Sequence, residues 1–315
     1  MLPFQLVYHP RYDLNLGQHV FPARKYRLIR ERLIQERFAE PADFIEPQPA
    51  SGEDISRVHH PGWVHRLKTG TLTAAEIVKL EIPYSQEMVD GFWLATGGTI
   101  LAARNAVRDR IGFNIGGGFH HAFPGHGEGF CAIHDVAIAI RALQHERVIE
   151  KALIVDCDVH HGNGTAAIFA GDRSVLTLSL HQLNNYPNEK PPSVIDVDLR
   201  DGVEDDEYLD RLQGALKVAL SFAPHLLLYL AGADPYRDDQ LGGLALTIEG
   251  LKRRDQLVIE TALAQSVPVA VVLAGGYARD TNDTVTIHCN TARAVRTALM
   301  QESGQPWNDH RKGAG

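Results

Sequence analysis

Eight short apolar runs, spaced along the chain between segments of helical periodicity, are the feature that most restricts the fold. They occupy residues 4–8, 43–45, 112–115, 152–155, 175–180, 194–197, 226–230 and 269–273. Helical patterns fill 24–38, 86–108, 135–145, 206–222, 248–265 and 283–300. Strands that alternate with helices join in parallel, and a parallel sheet must be covered on both faces. The expected class is therefore α/β with one sheet between helical layers. At 315 residues the chain could hold one large α/β domain or two ordinary ones. No repeat, low-complexity block or linker divides it, so we expect a single domain over residues 1–315, with 301–315 a frayed tail.

The stretch ALIVDCDVHHGNGT, residues 152–165, departs from strand chemistry where its apolar run stops. Asp156, Asp158 and His160 follow at spacing two, and alternate residues of a strand point to one face. Two carboxylates and an imidazole so placed suit a divalent metal with harder ligands than a Cys-rich structural zinc site. His161, Gly162, Asn163 and Gly164 then read as a loop that lets backbone approach closely.

Ligands of parallel sheets bind outside the carboxyl ends of the strands. Here GGGFHH, DCDVHHGNG, SLH, AGADPYRDD and AGGYA all follow apolar runs, so they should converge on one site. Asp234, straight after LLLYLA, would be costly to bury unless paired or metal-bound. With Asp158 and His160 it makes three protein ligands and leaves a position for water, the plan of a catalytic zinc site. His120 and His121 offer an acid and a base near neutral pH. Tyr277 could donate a hydrogen bond to a developing oxyanion. A second cluster, His59, His60 and His65, has no acidic residue at ligand spacing, and Pro61-Gly62 should turn the chain within it. We read it as ordinary.

Composition excludes several classes. A net charge of −8 argues against direct nucleic-acid binding. Three scattered cysteines are too few for a disulfide framework or a Cys-type zinc site. No basic leader opens the sequence, and no apolar run reaches membrane-spanning length. The expectation is a soluble protein of a reducing cytoplasm, with no membrane partner. Oligomeric state is not legible.

The motifs GGGFHH, DCDVHHGNG, AGAD and AGGY, in this order, resemble those of the zinc-dependent histone deacetylases and their bacterial relatives. The likeness spans residues 8–298 and is nearest the class IV branch, through GEGFCAIHD, GVEDDEYLD and the LGGL after AGAD. It implies the arginase/deacetylase fold, a three-layer αβα sandwich on an eight-stranded parallel sheet. It also implies hydrolysis of an acylated lysine side-chain amide on a protein or peptide. By this resemblance Asp158, His160 and Asp234 are the zinc ligands, His120 and His121 the acid/base pair, and Tyr277 the group that polarises the carbonyl. Asp156 and Asn163 orient His120 and His121 respectively. Asn163 stands where class I enzymes carry Asp, which should leave His121 a weaker base. Phe130 and Tyr186 match the walls of an acyl-lysine tunnel. A potassium or sodium ion is implied at main-chain oxygens of Asp156, Asp158, His160 and Leu180 with the Ser179 side chain.

Three alternatives stay open on the sequence. A deacetylase of polyamines or other acylated small amines would use the same parts. A two-manganese ureohydrolase needs D-x-H-x-D, and Gly162 stands at its last position. An inactive acyl-lysine binder should have lost a ligand, a histidine or the tyrosine, and all are present. The loop AFPGHGEG, with glycines at 125, 127 and 129, suggests a tunnel wall at Gly129 with room for long acyl chains. Each buried methylene there could add up to about 0.8 kcal/mol. The class IV resemblance points the same way, since that branch is associated with removing fatty-acyl groups.

Overall fold

The computed structural model describes residues 1–303. In chain order its elements are β1 (Leu6–Val7), α1 (Lys25–Gln35), β2 (Phe44–Ile45), α2 (Gly52–Ser56), α3 (Pro61–Thr69), α4 (Ala74–Leu80), α5 (Gln86–Asp109) and β3 (Ile111–Asn114). There follow α6 (Asp135–His145), β4 (Ala152–Asp156), α7 (Asn163–Ile168), β5 (Val175–Gln182), β6 (Ile195–Leu199) and α8 (Asp205–Leu220). The last are β7 (Leu226–Leu230), α9 (Ile248–Ala264), β8 (Val269–Val272) and α10 (Thr281–Ser303). Among the described residues eight strands form one all-parallel sheet, ordered β2-β1-β3-β8-β7-β4-β5-β6.

Position in this sheet explains the strand sequences. Central β7, LLLYL, is buried along its whole length between helical layers, so it needs no polar face. Truncating one of its leucines to alanine should cost about 2–5 kcal/mol. Edge strand β6, IDVDL, instead alternates, with Asp196 and Asp198 exposed between half-buried Ile195 and Val197. The buried Arg254 of α9 ties strand ends together. It donates to Gly232 O at 2.6 Å and Cys157 O at 3.3 Å, just beyond β7 and β4, and pairs with Asp255 at 2.8 Å.

All eight sequence-expected strands are present. Pro61 and Gly62 do not turn the chain within the histidine cluster; they open α3, where proline at the first helical position sacrifices no hydrogen bond. His59 beside it is buried, and its Nε2 accepts from the His134 amide at 2.9 Å. Nor does the loop after β4 run on through Gly164, because α7 starts at Asn163. Helix α10 passes the expected end at Met300 and runs to Ser303. The rest of the expected frayed tail, 304–315, lies outside the described residues.

Candidate active site

The register of β4 places Asp156 opposite Ser179 of β5 and Leu230 of β7, so the loops leaving these strands emerge side by side. Asp158 and His160 come from the first loop and Asp234 from the third. One ligand atom of each lies within 4.8 Å of the others, and all three residues are buried. Main-chain donors fix the carboxylates: Gly275 N to Asp158 Oδ2 at 2.8 Å, and Val159 N to Asp234 Oδ1 at 2.9 Å. His160 Nδ1 sits 2.9 Å from Asp158 Oδ1 and 3.6 Å from Asp234 Oδ2.

This corner suits a cation. Asp234 Oδ2 is buried without a hydrogen-bond partner among the described residues. Burial disfavours a charged His160, yet Asp158 and Asp234 outweigh it and raise its pKa to about 10. Burial and the neighbouring Asp158 push Asp234 up to about 7. Two carboxylates and one imidazole, converging with an orphaned oxygen, fit a divalent metal in the manner of a three-ligand catalytic zinc site. Asp156, grouped with these residues in the sequence pattern, points elsewhere. Its Oδ2 accepts from His120 Nδ1 at 2.7 Å.

The two histidines are neighbours with opposite electrostatics. Burial opposes charge on His120, but Asp156 and Asp158 prevail and raise its pKa to about 9. His121 is driven well below the ordinary value by burial, and by His120 and His160 nearby. Its Nδ1 donates to Asn163 Oδ1 at 2.7 Å. The pair thus supplies one imidazole that favours the charged form and one that favours the neutral form. Tyr277 is also buried, and burial with the adjacent Asp158 and Asp234 keeps its hydroxyl protonated, hence a donor. Asp239 holds its backbone, accepting from Tyr277 N at 2.7 Å.

Phe130 and Tyr186 pack against this cluster. The Tyr186 ring meets His121 edge-on at 4.9 Å, and Phe130 meets Tyr277 at 5.9 Å. Gly127 and Gly129 do not hollow out this wall. A Cβ on Gly129 would fall 2.7 Å from His121 Cδ2 and 2.9 Å from Tyr186 Cε1. One on Gly127 would fall 2.5 Å from Cys131 O. Glycine here permits close packing, so these residues lend no support to an enlarged acyl pocket.

Several residues at the site carry no local sequence signal. Phe21, from the N-terminal loop, stacks on Phe130 at 6.3 Å. Lys25 is fully buried, donates to Ala274 O at 2.7 Å, and has its Nζ 5.9 Å from the Tyr277 ring centre. Burial lowers its pKa to about 8, against the pull of Asp234 and Asp158. Glu128 accepts from Asn163 Nδ2 at 2.5 Å and from Lys79 at 2.9 Å. Asp135 accepts from the amides of Gly118 and Phe119 at 2.9 and 2.8 Å, setting the loop before His120. Only its place at the start of an apolar-faced helix could have marked Asp135.

The eight-stranded parallel sheet with helices on both faces is the arginase/deacetylase fold, and the site lies at the strand ends where that architecture binds its ligands. Residues 19–292 match the histone deacetylase domain. Histone deacetylase 2 of Arabidopsis thaliana is 32% identical over 287 residues, covering 86% of this chain and 74% of that protein. An uncharacterized protein of Picosynechococcus is 41% identical over 295 residues, covering 93% of this chain and 98% of its own. The crystal structure of the HDA15 HD domain superposes with a TM-score of 0.78 at 26% identity, covering 95% of this chain and 92% of that one. The chain belongs to the histone deacetylase family, and is thereby a hydrolase-family enzyme.

Proposed function

We propose that this protein is a zinc-dependent deacylase of acylated lysine side chains. The observation that carries the reading is the juxtaposition of the Asp158–His160–Asp234 corner with a buried histidine pair of opposite charge preference. Asp158, His160 and Asp234 would hold the zinc, which when bound supplies Lewis acidity toward the amide carbonyl and toward water. Neutral His121 takes a proton from the attacking water. Protonated His120 stabilises the negative charge that develops beside it, and the pair returns a proton to the departing amine. Tyr277 donates its hydroxyl hydrogen bond to the carbonyl oxygen as charge builds there. Water adds across the C–N bond, leaving a carboxylate and a free amine.

A potassium or sodium ion at the main-chain oxygens of Asp156, Asp158, His160 and Leu180 with Ser179 would brace the loop after β4. The Asp156–Ser179 register supports that placement. Three cysteines, all free and buried, support a reducing, cytoplasmic setting. No helix among the described residues is long and apolar enough to cross a membrane.

The deciding experiment is turnover of one peptide bearing acetyl-, octanoyl- or myristoyl-lysine, alongside acetylated polyamines. Hydrolysis of a lysine peptide with kcat/KM well above the polyamines' supports the reading. Turnover of polyamines alone would move the function to small amines, and kcat/KM rising from acetyl to longer chains would make it a long-chain deacylase.

A further inference from the structure

We propose a second divalent-metal site, separate from the active site, formed by His161, His181 and Asp196. His161 follows His160 in the loop after β4, His181 lies on β5, and Asp196 on edge strand β6. One ligand atom of each lies within 4.8 Å of the others. The two rings stand nearly perpendicular, at 82° with centres 4.6 Å apart.

The demand for an ion comes from the imidazoles. Both residues are 1% exposed. Neither nitrogen of His161, nor Nε2 of His181, has a hydrogen-bond partner among the described residues. The Nε2 atoms of the two rings have only the Asp196 and Asp198 carboxylates beside them, and His161 Nδ1 has no partner among the described residues. Buried imidazoles so placed are a residue type that a metal satisfies. The carboxylates lie on the same side. Asp196 Oδ1 is 3.3 Å from His161 Nε2, and Asp198 Oδ1 is 3.1 Å from His181 Nε2. The β5–β6 register sets His181 opposite Asp198, and spacing two puts Asp196 on the same strand face. Ser179 Oγ contacts His181 Nδ1 at 3.0 Å, which leaves Nε2 as the ligand atom.

Two imidazoles and a carboxylate, with Asp198 or water to complete the shell, suit zinc and its borderline neighbours cobalt and nickel rather than calcium or magnesium. Asp196, whose side chain is 27% exposed on an edge strand, stands 3.3 Å from His161 Nε2, which is about the separation of two ligand atoms on a tetrahedral zinc. The site shares no ligand with the Asp158–His160–Asp234 corner, so it is not a bridged two-metal centre. Occupancy would pin the loop carrying His160 to the outer strands. The proposal does not rest on the deacylase reading.

The test is titration of the metal-stripped full chain with cobalt chloride, read by visible absorption and metal analysis. Wild type should take up two ions, and Asp158→Asn should still take up one. Asp196→Ala should lose the second uptake while keeping the first. X-ray absorption on the wild type needs no variant to fold, and should show more imidazole scattering per cobalt with two ions bound than with one. Uptake of a single ion by wild type, a second uptake untouched by Asp196→Ala, or no rise in imidazole scattering would each overturn the site.

Discussion

Asn163 faces Glu128 through its amide nitrogen, at 2.5 Å, and faces His121 through its oxygen, at 2.7 Å. The amide therefore hands His121 a neutral acceptor while a carboxylate stands one residue further out. His126 and Lys79 help keep Glu128 ionised, lowering its pKa to about 2 against the burial that would raise it. An aspartate at position 163 would meet Glu128 carboxylate to carboxylate, and the two would have to share a proton.

Asn163→Asp alone should therefore lower kcat/KM, and adding Glu128→Gln should restore much of it by removing the repulsion. In the double variant the new carboxylate favours charged His121, which must be neutral to act as base. The acidic limb of its kcat/KM profile should move to higher pH. Additive losses in the double-mutant cycle would show that the two residues do not communicate.

Tyr277→Phe should lower kcat by roughly 10²–10³-fold, since the lost hydrogen bond is made mainly in the transition state. Metal content should be unchanged. Asp158→Ala and Asp234→Ala should instead lose metal and activity together. Near-normal turnover of Tyr277→Phe would reduce the residue to packing.

In Asp196→Ala, which leaves only the Asp158–His160–Asp234 corner, activity restored to stripped enzyme should saturate at about one zinc per chain. A second, bridged catalytic ion would need a carboxylate at position 162, where even a Cβ on Gly162 would lie 2.6 Å from Asp156 Oδ2. Rate data requiring two ions would return the ureohydrolase reading.

His59 makes acid stability testable. Burial, its largest influence, lowers its pKa from 6.5 to about 4, so the folded protein resists a proton that the unfolded chain accepts. Its contribution is intact above pH 6.5 and is lost as pH falls toward 4, by at most about 3 kcal/mol. His134 and His288, also buried with lowered pKa values, act in the same sense. Thermal unfolding of His59→Gln should show a shallower fall in Tm across this window than wild type. Identical slopes would locate the effect elsewhere.

Much of this protein was legible in the chain because its signals are local. A strand buried on both faces announces itself as a continuous apolar run, as in Leu226–Leu230, and Asp158, His160 and Asp234 are conspicuous because they are polar directly after such runs. The short helices α2, α3, α4 and α7 were not read, since a helix of two turns shows little periodicity. Tertiary structure alone decided the rest. Lys25 meets Ala274 across 249 positions, Arg254 meets Cys157 across 97, and Glu128 meets Asn163 across 35. Gly127 and Gly129, open on paper, are packed against Cys131, His121 and Tyr186. The sequence by itself determined which residue types stand at the strand ends, because burial writes its pattern into neighbouring residues. Which of them share a proton, a charge or a metal is a matter of distances between separate strands, and only the order in which the sheet assembles them could decide it.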